Sequence, residues 1–256
     1  MNRMKSEATS DSIWVLLHTV IIYLWIIFGT FVLASLAVLV SFFSKTGNSV
    51  HRVGQWWGRS ILWVSGIKFQ VRGMEHIDPS RSAIYMSNHQ SNYDIPVFFS
   101  ALPIQFRWLA KAELFKIPIF GWGMRGAGYI SIDRSNSKSA IKSLKKAAAS
   151  IRNGTSVLIF PEGTRSSDAS LLPFKSGGFI LALESGVPII PMAVQGTYGI
   201  MPKGTSLIRR SHVTLTMYPA IDPTAYTRKE KEQLMERVRA SIEAAMAQGP
   251  EGGGGA

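Results

Sequence analysis

The pattern of apolar and polar positions changes character twice along the chain. From Ile13 to Phe43 no residue is charged, and Leu, Ile, Val, Phe and Trp dominate. That run exceeds the roughly 20 residues that cross the hydrocarbon of a bilayer. A secretory leader has a shorter apolar region and a small-residue cleavage site, so the run predicts a membrane helix, either spanning or lying deep in one leaflet. Residues 1–12 ahead of it are polar, mixed in charge, and read as a flexible end. After a break at Lys45-Thr-Gly-Asn48, the stretch from about Val50 to Val64 is amphipathic and carries Trp56, Trp57 and Trp63 beside His51, Arg52 and Arg59. Tryptophan with arginine suits the membrane–water boundary. Residues 13–65 therefore read as one membrane-associated helical segment. Arg3 and Lys5 precede the apolar run and Lys45, Arg52 and Arg59 follow it, which places the rest of the chain on the cytoplasmic side of an inner membrane.

From Ile67 the pattern turns globular. Short apolar runs predict strands over 67–72, 83–87, 106–109, 128–132, 156–160, 189–194 and 212–218. Longer periodic segments predict helices over 92–101, 137–152, 176–185 and 228–246. Strands alternating with helices give an α/β fold, with a mixed, largely parallel central sheet flanked by helices. This domain is expected over 66–247, and residues 248–256, rich in glycine, as a flexible tail.

Composition narrows the chemistry. With Cys at 0, disulfides, thiolate nucleophiles and thiolate metal sites are excluded. The five histidines, His18, His51, His76, His89 and His212, show no ligand spacing, so no metal is expected. The formal net charge of +12 calls for an anionic partner: anionic lipid, a phosphorylated substrate or nucleic acid. The membrane segment and the lack of a nucleic-acid-binding motif disfavour the last.

Three stretches carry candidate chemistry. In Ala83-Ile-Tyr-Met-Ser-Asn-His89-Gln-Ser-Asn-Tyr-Asp94, a buried strand runs into a loop bearing His89, and a helix is expected to start near Ser91 through a capping box with Asp94. His89 then lies at the carboxyl end of a strand, where α/β sheets bind ligands. On these twelve residues alone, a loop histidine and a helix cap are the favoured description over a His–Asp catalytic pair, because His and Asp near one another are common. The second stretch, Gly128 to Arg134, is a strand ending in Asp133-Arg134. The third, Phe160-Pro-Glu162-Gly163-Thr164-Arg165-Ser166, follows another apolar strand. Gly163 permits close approach of backbone to a ligand, Thr164 and Ser166 supply hydroxyls, and the Arg165 fork suits phosphate. A plain turn with Glu162 paired to Arg165 is the alternative. Lys175, just before Gly177-Gly178 and a helix, is a further anion-binding candidate. Between two strands, the glycine-containing apolar stretch Lys111 to Arg125 either packs on the core or lines a groove for an acyl chain.

Taken together these stretches resemble the glycerolipid acyltransferases of the 1-acyl-sn-glycerol-3-phosphate acyltransferase type. Asn88-His89 through Asp94 matches the family's N-H-x4-D motif, and Phe160 through Ser166 matches its third motif residue for residue. Gly128 to Arg134 is similar to its second, with Ser131 where an aromatic is usual, and Val187-Pro-Ile-Ile-Pro191 matches its fourth. The resemblance covers about 83–194 and implies transfer of an acyl group from acyl-coenzyme A (acyl-CoA) or acyl carrier protein (acyl-ACP) to the free hydroxyl of lysophosphatidic acid, giving phosphatidic acid, with no cofactor beyond the acyl thioester. It implies His89 as general base, oriented by Asp94, and acceptor binding by Arg134, Glu162, Gly163, Thr164, Arg165 and Lys175, with backbone amides near Gly163 as oxyanion donors. Other lysophospholipids or lyso-aminolipids as acceptors, and a non-catalytic protein of anionic membranes, are the competing expectations.

Overall fold

The computed structural model describes residues 2–133 and 137–248. Its sheet has seven strands: β1 (Phe69–Arg72), β2 (Ile84–Ser87), β3 (Phe106–Lys111), β4 (Ile130–Ile132), β5 (Ser156–Ile159), β6 (Ile189–Gln195) and β7 (Val213–Met217). They lie in the order β1-β7-β6-β2-β5-β3-β4, and every neighbouring pair is parallel except β6 with β7. All seven expected strands are present, with ends moved by up to two residues.

The central strands β2, β5 and β6 are buried at every position. Their sequences are continuous apolar runs because helices cover both faces of the sheet. One face packs on α2 (Asn48–Val64) and α3 (Asp94–Ala101) through Ile61, Leu62, Val97, Phe98 and Phe99. The other packs on α5 (Ser137–Arg152), α6 (Gly177–Ser185) and α8 (Lys231–Ala247) through Ile151, Phe179, Leu181, Leu234, Val238 and Ile242. Two short helices complete the domain, α4 (Phe120–Gly126) and α7 (Thr197–Ile200). Neither is expected from periodicity, since α4 carries three glycines and α7 is a single turn.

The membrane-like run belongs to α1, Asn2–Ser41, in which Ile13–Ser41 is long and apolar enough to cross a membrane. From Thr19 to Ser41 the helix is docked on the rest of the chain. Thr19 bonds both the N–H (3.1 Å) and the C=O (3.4 Å) of Ile208, and Trp25 Nε1 donates to Ser60 Oγ at 3.2 Å. Trp57 Nε1 donates to Thr30 Oγ1 at 2.9 Å, and Ala37 and Ser41 lie against Gly123 and Gly126 of α4. The outer face stays bare, with Ile13, Leu17, Leu24, Phe28, Phe31, Phe42 and Phe43 exposed, continued by Trp56, Trp63 and Trp122.

One expectation fails locally. Helix α3 starts at Asp94, not near Ser91, and its N-cap position makes no side-chain bond. Residues 91–95 first make i→i+3 bonds, Asp94 N–H to Ser91 O and Ile95 N–H to Asn92 O, each at 3.3 Å. The cause is Asp94 itself. Its Oδ2 accepts from the N–H groups of Gln90 (2.8 Å) and Ser91 (3.0 Å), which draws the preceding backbone into a turn around the carboxylate. Half of the capping box survives, and Ser91 Oγ accepts from Tyr93 N–H at 3.2 Å.

Candidate active site

Parallel register brings the two motif loops together. Strand β2 pairs with β5 as Ile84↔Val157, Tyr85↔Leu158 and Met86↔Ile159. The same offset of 73 residues, carried three positions past Met86, sets His89 opposite Glu162, and there Glu162 Oε1 accepts the His89 N–H at 2.7 Å. Further along the same loop, His89 O accepts Ser166 N–H at 2.8 Å. On the other flank, Asn88 mimics a strand residue: its Nδ2 donates to Val194 O and its Oδ1 accepts Val194 N–H, both at 2.8 Å. The loop that carries His89 is thus tied by hydrogen bonds to the loop after β5 on one side and to β6 on the other.

The imidazole is equally fixed. Nδ1–H donates to Asp94 Oδ2 at 2.7 Å, and the carboxylate sets that tautomer. Asp94 is fully buried and its Oδ2 holds three donors, whereas Oδ1 has no hydrogen-bond partner among the described residues. The ring of Phe160 lies flat on His89, 3.9 Å between centroids and 8° between planes. These contacts leave Nε2 as the nitrogen not engaged by Asp94, on a ring that lines a cavity of about 560 Å³.

That cavity has two kinds of wall. His89, Asn92, Gly163, Thr164, Arg165 and Lys111 give it polar and cationic groups. The rest is apolar: Leu33, Ala34 and Ala37 of α1, Val50, Val53 and Trp57 of α2, Leu114 and Phe120 from the 111–125 stretch, and Phe99 and Tyr129. The 111–125 stretch thus does in part both of the things expected of it: Phe115 is buried, and Lys111, Leu114, Phe120, Gly123 and Met124 line this cavity. Gly54 also faces this space; a Cβ there would sit 3.0 Å from Phe99 and 3.3 Å from the Tyr129 hydroxyl. At Gly163 φ is +73°, a left-handed turn that glycine adopts freely, and its N–H is spent on Phe160 O at 3.0 Å. In this conformation that amide is not aimed at an oxyanion.

Of the sequence candidates, His89, Gly163, Thr164 and Arg165 meet on the cavity wall, with Asp94 directly behind His89. Glu162 does not line the cavity. It is buried, and its second oxygen accepts Leu172 N–H at 2.9 Å, so both oxygens hold main chain. Burial, ahead of the opposing pull of those two bonds, pushes its pKa up to about 7. Glu162 is not paired with Arg165; the cation that acts on it, weakly, is Arg239, which donates to Leu171 O and Leu172 O. Lys175 is exposed and off the cavity wall, its N–H bonded to Pro161 O at 2.8 Å. Arg134 lies outside the described residues.

A family model described as Acyltransferase matches residues 68–195, half of the chain. The chain belongs to the acyltransferase family. It is 40% identical over 171 residues to the 1-acyl-sn-glycerol-3-phosphate acyltransferase of Limnanthes alba, covering 66% of this chain and 60% of that one. It is 35% identical over 182 residues to the enzyme of that name from Pseudomonas aeruginosa (69% and 70% covered). Identity to the human alpha form is 32% over 183 residues (71% and 65% covered). The chain thus spans 60% of the length of the Limnanthes relative. The crystal structure of the 1-acyl-sn-glycerophosphate acyltransferase PlsC from Thermotoga maritima superposes with a TM-score of 0.77 at 27% identity, over 93% of this chain and 96% of that one.

Several residues of this acyltransferase site carry no motif spacing that would announce them. Lys111 is simply the last residue of β3, which the β3–β5 pairing brings to the same sheet edge as Arg165. Phe160 had a signal, an aromatic directly before Pro-Glu-Gly, that is legible only once its ring is seen on His89. Ser91, a conceivable nucleophile, is fully buried and its Oγ donates to Met201 O at 2.9 Å, so its hydroxyl is committed to structure.

Proposed function

We propose that the protein transfers a fatty acyl group from a thioester, acyl-CoA or acyl-ACP, to the free hydroxyl of lysophosphatidic acid, forming phosphatidic acid. The observation that carries this is the His89–Asp94 pair at 2.7 Å on the wall of an apolar cavity that also holds Arg165. His89 Nε2 takes the acceptor's hydroxyl proton as the oxygen attacks the thioester carbonyl, and Asp94 stabilises the imidazolium that forms. The tetrahedral adduct then collapses, the C–S bond breaks, and the imidazolium returns the proton to the thiol. Phe160, stacked on the ring, keeps it from rotating off Asp94. Arg165 and Lys111 face the acceptor's phosphate, which an arginine fork binds in bidentate fashion. The apolar wall takes an acyl chain, at about 0.8 kcal/mol for each methylene withdrawn from water. No cofactor enters beyond the thioester.

The membrane is the second partner. A helix held to the α/β domain from Thr19 to Ser41 cannot also cross the bilayer clear of that domain. We therefore place α1 in one leaflet, with its bare apolar face and Trp56, Trp63 and Trp122 in lipid and the catalytic domain on the cytoplasmic surface. Purified protein assayed with several lysolipids against acyl-CoA and acyl-ACP tests the activity. Turnover of lysophosphatidic acid is expected, and Arg165→Ala should raise its KM about tenfold or more with a smaller change in kcat. An unchanged KM would remove Arg165 from the phosphate site, and turnover of other lysolipids alone would move the acceptor assignment.

A further inference from the structure

One segment outside the motifs touches both motif loops. It begins at α7 and runs from Thr197 to Ile208. Tyr198 Oη donates to Ser167 O at 2.9 Å. Met201 O accepts Ser91 Oγ, one residue from the turn that bears Gln90 and His89. Lys203 Nζ donates to Arg165 O at 3.0 Å and reaches Thr164 Oγ1 at 3.4 Å. The segment is itself held from behind. Arg209 N–H closes it onto Ile200 O at 2.9 Å, Tyr23 Oη contacts Met201 Sδ at 3.7 Å, and Thr19 of α1 bonds Ile208.

Thr164 and Arg165 line the cavity, and Lys203 grips the main chain of Arg165. An ammonium group that spends two donors this way has a third donor and a full positive charge left over. That charge sits against the main chain of Arg165, which lines the cavity together with Lys111, and so adds to the cationic character of this wall. Such a wall distinguishes head groups by charge. A phosphate monoester carries about −1.5 to −2 at neutral pH, because its second ionisation lies near pH 6. A phosphodiester head group carries one negative charge, and a choline or ethanolamine on it adds a positive one that the wall repels.

We propose that Lys203 is a positioning residue that selects a phosphate-monoester acceptor: it fixes the Thr164–Arg165 turn through the Arg165 carbonyl and biases the site toward a dianion. Selection of this kind presupposes lysophosphatidic acid as an acceptor, the reading proposed above. Lys203 is exposed, and replacing it disturbs no core.

The experiment measures kcat and KM of the full-length protein, in detergent–lipid mixed micelles, for lysophosphatidic acid and for lysophosphatidylglycerol as the diester control. Lys203→Met should raise the KM for lysophosphatidic acid about fivefold, with kcat within about twofold, and leave the diester KM within about twofold. Lys203→Arg should restore the wild-type monoester preference. Lys203→Gln, which keeps a donor but no charge, should lose most of that preference. The proposal is overturned if Lys203→Met leaves the monoester KM unchanged, raises both KM values alike, or is not rescued by arginine. Wild-type protein that acylates neither acceptor overturns the activity reading instead, and the two failures are told apart by that first assay.

Discussion

Two histidines of this chain are bonded through Nδ1 and packed on aromatic rings, yet they have opposite chemistry. His89 donates to a carboxylate and lines the cavity. His51, on α2, shares a 3.1 Å hydrogen bond with the Tyr129 hydroxyl, lies tilted to Phe99 and edge-on to Phe106, and is fully buried with Nε2 lacking a hydrogen-bond partner among the described residues. Burial first, and then the nearby Arg107 guanidinium, push the His51 pKa down from 6.5 to about 3. A ring in that setting stays neutral and accepts no proton at working pH. In the mechanism proposed above, a carboxylate partner and a second nitrogen at the cavity make the difference between a base and a structural plug.

The largest test of this contrast removes each ring in turn. His89→Ala should lower the acyl-transfer rate by roughly a factor of 100 to 10,000, with thermal unfolding little changed, because the ring lies at a cavity wall. His51→Gln should keep the rate within a few fold. Comparable losses of rate in both variants, at comparable stability, would end the comparison.

Next in size is Asp94→Asn. It should cost about as much rate as losing the base, since an amide does not stabilise an imidazolium. It should also destabilise the protein by roughly 1–3 kcal/mol, because Oδ2 holds two backbone N–H groups besides the ring. The measurements are turnover and thermal unfolding of the same preparation.

The pH dependence of stability sharpens the comparison further. His51 has a folded pKa below its ordinary one, so the unfolded chain binds the proton first. Its contribution is complete above about 6.5 and is lost as pH falls toward 3, at about 1.4 kcal/mol per pH unit. Glu162 is the reverse, raised from 4.5 to about 7. Its contribution is complete below 4.5 and is lost as pH rises through 7. Between about 4.5 and 6.5 the two slopes oppose each other in the wild type. Unfolding midpoints across this window should therefore fall less on acidification in His51→Gln and more in Glu162→Gln. Parallel profiles for all three proteins would remove both assignments.

The smallest effect concerns the apolar wall. Gly54→Val places methyl groups toward Phe99 and the Tyr129 hydroxyl inside the cavity. The ratio of kcat/KM for long over short acyl donors should fall by about fourfold per methylene excluded. An unaltered ratio would mean that the acyl chain does not pass Gly54.

The strands that position the site were legible because β2 and β5 are short runs, apolar but for one terminal serine each and ended by polar loops, the signature of strands covered on both faces. The motif residues were legible for the same local reason. What was not legible depends on pairing across the chain. Ser91 and Asp94 have capping-box spacing, but a carboxylate that already serves His89, Gln90 and Ser91 delays the helix to Asp94 itself. Glu162 looks like a ligand-binding acid in sequence and is a clasp for two backbone amides in space. Lys203 and Tyr198 act on main-chain carbonyls, which have no residue identity to pattern-match. The cavity draws on α1, α2, α4 and β3, so no single window of sequence contains it.

The offset of 73 residues that joins His89 to Glu162 is counted across two paired strands, not along the chain between them. Descendants of this fold are accordingly free to lengthen the connections between α3 and β5 without disturbing the contact between His89 and Glu162. A slip of β5 by a single residue is not so forgiving. It would turn every side chain of the strand to the opposite face and carry Glu162 off the His89 amide. Evolutionary change in this region is therefore expected as insertions in loops, and scarcely at all as shifts in strand alignment.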